Sequence, residues 1–136
     1  MDRALTIEID ASQPDPAYQQ IAARIRQHIS AGALPHGSPL PGVRGLAADL
    51  GVNINTVARA YRVLEEQGFV HIRDRSGVVV AEPRRRPDPG ERAVLERELS
   101  ELLARMRQAG VSTEQLRRLA GRAIDALDAA GAESET

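Results

Sequence analysis

The sequence contains no cysteine. That excludes a disulfide framework, a thiolate metal site and a cysteine nucleophile. Tryptophan is absent too, and aromatic residues make up only 2% of the chain: Tyr18, Tyr61 and Phe69. The core must therefore be aliphatic, drawn from a hydrophobic fraction of 42%. Lysine is also missing, so all 18 basic residues are arginine. That points to biased codon usage before it points to function. Against 19 acidic residues the arginines leave a net charge of −1. His28, His36 and His71 share no metal-ligand spacing, and no HExxH, GxSxG, GxGxxG or phosphate-loop motif occurs. The expectation is a non-enzyme with no cofactor and no metal. No apolar run approaches the ~20 residues of a membrane helix. The opening Met-Asp-Arg leads into no apolar targeting stretch. A cytoplasmic protein without membrane contact is expected.

A chain of 136 residues is one domain, or a small domain with an appendage. Residues 4–9 alternate apolar and polar from Leu5, which predicts a short strand. Asp15 and Pro16 predict a helix cap and a first helical residue. The helix behind them carries Tyr18, Ile21, Ala22, Ile25 and Ile29 on one stripe and stops at Gly32. Residues 35–42 hold three prolines and two glycines, which excludes a helix or a central strand.

Two short helical patterns follow. The first holds Val43, Leu46, Ala47 and Leu50 and breaks at Gly51. The second starts near Asn53, holds Val57, Ala60, Tyr61 and Leu64, and stops at Gly68. Val52 and Val57 fit a hydrophobic staple around an asparagine cap. Two helices joined by a short glycine-containing turn have helix-turn-helix spacing. The β-rich runs 69–72 and 78–80 flank the turn residues Asp74-Arg75-Ser76-Gly77, predicting a two-stranded hairpin. A hairpin behind a helix-turn-helix is a winged helix.

Residues 83–90 read as a Pro-rich, charged linker; its Arg84-Arg85-Arg86 run could grip phosphates, but a solvated linker is the better reading, and whether it touches DNA stays unassigned. Two more helices fill 91–130, before a flexible tail at 131–136. The first carries Leu95, Leu99, Leu102, Leu103 and Met106 and stops at Gly110. The second opens with a Ser112/Gln115 capping box and a Val111/Leu116 staple. It carries Leu116, Leu119, Ala120, Ala123 and Leu127. A two-helix hairpin this small rarely stands alone. Its stripes need either the first domain or a second copy of the chain, and the Pro-rich linker favours the second copy. The fold class expected is mostly α with a small β wing. An N-terminal winged helix-turn-helix (1–82) is joined to a C-terminal two-helix dimerisation hairpin.

The second helix of a helix-turn-helix presents its first residues to the major groove. Here those are Asn53, Asn55, Thr56 and Arg59. Asn and Arg side chains offer bidentate edges to adenine and guanine. Asn53 serves equally well as a plain cap. Arg44 lies in the first turn of the preceding helix with no apolar role. Arg73 and Arg75 flank the wing tip, where Ser76 and Gly77 allow close approach to a backbone. Residues 40–82 contain five arginines and five acidic residues, so no bulk basic footprint marks this face.

Pro16-Ala17-Tyr18-Gln19-Gln20-Ile21 resembles the first-helix signature of the GntR family of bacterial transcription regulators. Gly32-Ala33-Leu34-Pro35-His36-Gly37, then Leu40-Pro41-Gly42-Val43-Arg44, resembles that family's G-x-L-x-x-G-x-x-LPS-x-R stretch. Leu46-Ala47, Leu50-Gly51-Val52-Asn53, Thr56-Val57, Ala60-Tyr61, Leu64 and Gly68 continue in register, so the resemblance spans about residues 14–82. It implies that Arg44, Asn53, Asn55, Thr56 and the wing's Gly77 face operator DNA. The short two-helix tail is similar to the YtrA subfamily, whose members are dimers. There are departures: Gly42 stands in place of the usual serine cap, Gly45 in place of the common glutamate, and Arg75 where a wing glycine is frequent.

The resulting expectation is a homodimeric regulator, a repressor, that binds a palindromic double-stranded operator. The rival is a winged helix that binds another protein, for which the zero net charge of residues 40–82 is the best support. Operator sequence, target genes and any small-molecule effector stay unassigned.

Overall fold

A computed structural model describes residues 7–74, 77–84, 86 and 88–134. Helix α1 spans Ala17–Ser30. Ile21, Ile25 and Ile29 recur at four-residue steps and are buried with Ala22. The helix starts one residue later than its sequence suggests. Pro16 occupies the cap position and makes no side-chain cap bond. Its carbonyl takes the N–H groups of Gln19 and Gln20 instead. Asp15 sits one position too far out to cap.

Residues 7–9 form no strand, although Ile7 is buried and Ile9 packs on the core. Alternation reports which side chains face inward, not whether the backbone has a ladder partner. The segment that follows is held by a side chain. Gln20, itself buried, accepts from the Asp10 N–H at 2.7 Å. Its Nε2 donates to the Asp10 and Asp15 carbonyls at 3.0 and 2.9 Å.

Strand β1 is the two residues Pro39–Leu40. Helix α2 spans Val43–Leu50 and α3 spans Ile54–Glu66. Between them Gly51 takes φ 68°, a left-handed conformation that favours glycine. The Val52 N–H returns to the Ala47 carbonyl and closes the end of α2. Strands β2 (Val70–Arg73) and β3 (Gly77–Val80) complete the sheet.

The sheet has three antiparallel strands in the order β1-β3-β2, not the two of a simple hairpin. Leu40 pairs with Val78, and Val70 with Val80. Proline is tolerated in β1 because that strand is an edge. Val70, Val78 and Val80 turn inward and join Leu40, Leu46, Val57, Tyr61 and Leu64 in one aliphatic core. Helix α3 packs against α1, α2 and β2, and so lies at the centre of this unit.

The chain divides into two compact units with the boundary after Pro83. The second is Arg84–Ala129; it holds helix α4 (Pro89–Gln108) and most of α5, which spans Thr113–Ser134. Pro89 and Gly90 belong to the first turn of α4 rather than to a linker. Asp88 caps that turn by accepting from the Gly90 N–H at 3.0 Å, and Pro89 is suited to the first helical position. Helix α5 continues past Gly131, where a flexible tail was expected. The surrounding alanines are the best helix formers, and one glycine costs only about 1 kcal/mol.

The Ser112/Gln115 box forms in both directions, at 2.9 and 3.1 Å. Within one chain α4 and α5 bury little. Leu116 is buried and Leu103 and Met106 are half-buried. Leu95, Leu99, Leu102, Leu119, Ala123 and Leu127 are exposed, as are Val94 and Ile124.

Candidate nucleic-acid interface

Helix α3 turns its core residues Val57, Ala60, Tyr61 and Leu64 inward. Asn55, Arg59 and Arg62 are consequently exposed on the opposite side. Asn53 caps the helix: its Oδ1 accepts from the Asn55 N–H at 2.8 Å. The structural role foreseen for Asn53 is thus present, and its side-chain amide N–H groups are the donors it can still offer. Val52 is half-buried and Val57 fully buried, the two ends of the staple. Asn55 is exposed and Thr56 half-buried.

Arg59 carries a feature its sequence context did not show. Its guanidinium lies 3.9 Å from the centre of the Tyr18 ring on α1. The Tyr18 hydroxyl in turn accepts from Gln19 Nε2 at 3.1 Å. A stacked guanidinium keeps its edge N–H groups available while its direction is fixed. Tyr18 therefore fixes the direction of the exposed Arg59 side chain. Helical periodicity assigned it to the core stripe, and it does pack on the core while half-buried, with Arg59 against its ring.

Arg44 is the second residue of α2 and is exposed. Gly42 at the cap makes no side-chain bond. Buried Tyr61 of α3 donates its hydroxyl to the Pro41 carbonyl at 2.5 Å. Burial raises the Tyr61 pKa above the ordinary tyrosine value. The phenol is neutral at physiological pH and serves as a donor.

On the wing, Arg73 is exposed and pairs with Gly77 across the hairpin. Gly77 has φ 82°. A Cβ there would meet no neighbour, so backbone conformation rather than space requires glycine. Arg75 and Ser76 lie outside the described residues. The wing is tied back to α3, because Glu65 accepts from the Ile72 N–H at 2.8 Å. Ile54, which the sequence left unremarked, is the first residue of α3 and is 44% exposed. Among the described residues no group of His, Asp and Glu could hold a metal ion, and no helix is long and apolar enough to cross a membrane.

This architecture is shared with known proteins. A transcriptional antiterminator from Listeria monocytogenes EGD-e superimposes with a TM-score of 0.75 at 27% identity, over 90% of this chain and 92% of that one. The HTH-type transcriptional regulator Rv1152 of Mycobacterium tuberculosis is 41% identical over 65% of this chain and 69% of its own. The HTH-type transcriptional repressor YtrA of Bacillus subtilis is 31% identical over 81% of this chain and 85% of its own. Residues 17–80, from the start of α1 to the end of β3, match the model of the bacterial regulatory proteins of the gntR family. With a winged helix-turn-helix on the same residues, the chain belongs to the GntR family of DNA-binding transcriptional regulators, with YtrA among its relatives.

Proposed function

We propose that this protein is a homodimeric repressor that binds a palindromic double-stranded operator. The observation that carries the reading is the outward face of the helix-turn-helix. Asn55 and Arg59 on α3 and Arg44 on α2 are all exposed there, at the positions that meet base edges and phosphates in the major groove. Asn53, Thr56, Arg73 and Gly77 complete the contacts we assign, together with Arg75 and Ser76. The repressor role follows the named role of Bacillus subtilis YtrA. A cytoplasmic location follows from a DNA target.

Dimerisation is supported by α4 and α5, which leave Leu95, Leu99, Leu102, Leu119 and Leu127 in solvent. Stripes of that size are seldom left wet. Half-buried Leu103 and Met106 and exposed Ala123 lie on the same helices and extend the patch, whereas Leu116 is already buried within one chain. A two-fold dimer would set its recognition helices about 34 Å apart, or a multiple of that, and would demand a palindromic site.

A fluorescence-anisotropy titration against the DNA upstream of the protein's own gene tests this reading. If the dimer neutralises roughly 6–8 phosphates, log affinity against log salt slopes near −5 to −7. A flat salt response would favour a protein-binding winged helix, the reading that the zero net charge of residues 40–82 supports.

A further inference from the structure

The recognition helix opens on an apolar side chain that the core does not use. Ile54 is the first residue of α3, exposed between its cap Asn53 and Asn55, which is exposed as well. One turn on, Ala58 lies on the same side of the helix and is half-buried. A single exposed isoleucine on an arbitrary surface needs no explanation. This one stands at the end of the helix that enters the major groove.

Ile54 has no hydrogen-bond donor or acceptor, so it cannot read the polar edges of the bases. The major groove offers one apolar group, the C5 methyl of thymine. Asn55, next in the chain, is the complementary reader of polar edges. The first turn of α3 therefore offers an apolar and a polar probe side by side.

We infer that Ile54 reads a thymine 5-methyl group in each half-site, with Ala58 extending the apolar ridge. This rests on the operator-binding reading above. Contact with the methyl excludes water from both partners. It discriminates thymine from cytosine, which lacks the methyl and presents an amino group at the neighbouring position.

The test uses the full chain and a duplex enriched by that chain from a random double-stranded library. Each thymine of the enriched duplex is replaced in turn by deoxyuridine, which removes the methyl and nothing else. Affinity is expected to fall about fourfold at one thymine per half-site, the effect of burying one methyl-sized group. The Ile54→Val variant is expected to keep that fall, and Ile54→Ala to lose it. An undiminished fall in Ile54→Ala would show that another residue meets the methyl and would overturn the inference. So would the absence of a fall at every thymine, with operator binding itself left standing. Failure to enrich any duplex would remove the operator reading and this inference together.

Discussion

The Tyr61 hydroxyl donates to the carbonyl of Pro41, twenty residues earlier, at 2.5 Å. The bond couples the middle of α3 to the segment that launches α2, and hence to Arg44.

Replacing Tyr61 by Phe keeps the ring and leaves the Pro41 carbonyl without this donor. Stability is expected to fall by about 1–2 kcal/mol, read as a lower urea midpoint with an unchanged slope. Operator affinity is expected to fall as well, because Arg44 loses its support.

Burial raises the Tyr61 pKa in the folded state. The folded protein therefore holds this proton at pH values where the unfolded chain has released it. Its contribution to stability is complete below the ordinary tyrosine pKa of about 10 and declines above it, by up to ~1.4 kcal/mol per pH unit. Urea denaturation between pH 8 and pH 11, on the order of the unfolded tyrosine pKa, is expected to show this decline. The same series in Tyr61→Phe is expected to lack that component.

Arg44→Ala and Asn55→Ala remove exposed side chains. Each is expected to change stability by less than about 0.5 kcal/mol. Each is expected to weaken operator binding by about 1–3 kcal/mol. Anisotropy titrations beside thermal melts separate the two effects. Unchanged affinity in both variants would place the interface on another face.

Tyr18 and Arg59 form a pair whose energy a double-mutant cycle can isolate. Tyr18→Ala, Arg59→Ala and the double variant are expected to give a coupling of about 0.5–1 kcal/mol in urea denaturation. Tyr18→Phe, which keeps the ring, is expected to preserve most of it. In operator binding, Tyr18→Ala is expected to have an effect only when Arg59 is present.

Leu99 on α4 and Leu127 on α5 are both exposed in the single chain. Replacing both by Glu removes no intrachain core contact but makes the patch costly to bury. Light scattering is expected to change from twice 14.7 kDa to 14.7 kDa, with helical content retained. Affinity for a full palindrome is expected to drop toward that for a half-site. A double variant that stays dimeric would assign these helices another role.

Local interactions carried most of what could be read in advance. The Asn53 cap, the Val52/Val57 staple, the Ser112/Gln115 box and the Gly51 and Gly68 stops each lie within a few residues of chain. Their chemistry follows from residue type and spacing. The core stripe of α3 was legible for the same reason, and it decided by exclusion which face Asn55 and Arg59 occupy. Tertiary structure decided whatever depends on partners distant in sequence. Pro39–Leu40 became a strand because β3 offered it an edge. Residues 7–9 did not, although Ile7 and Ile9 reach the core, and the chain just after them is held by the Gln20 amide at Asp10. Tyr18 packs on the core as its place on the stripe implied, but only the packing of α1 against α3 set it beneath Arg59. Periodicity specifies which side of an element is buried, but not which element covers it. The contacts that orient Arg44 and Arg59 arise only once the elements have packed.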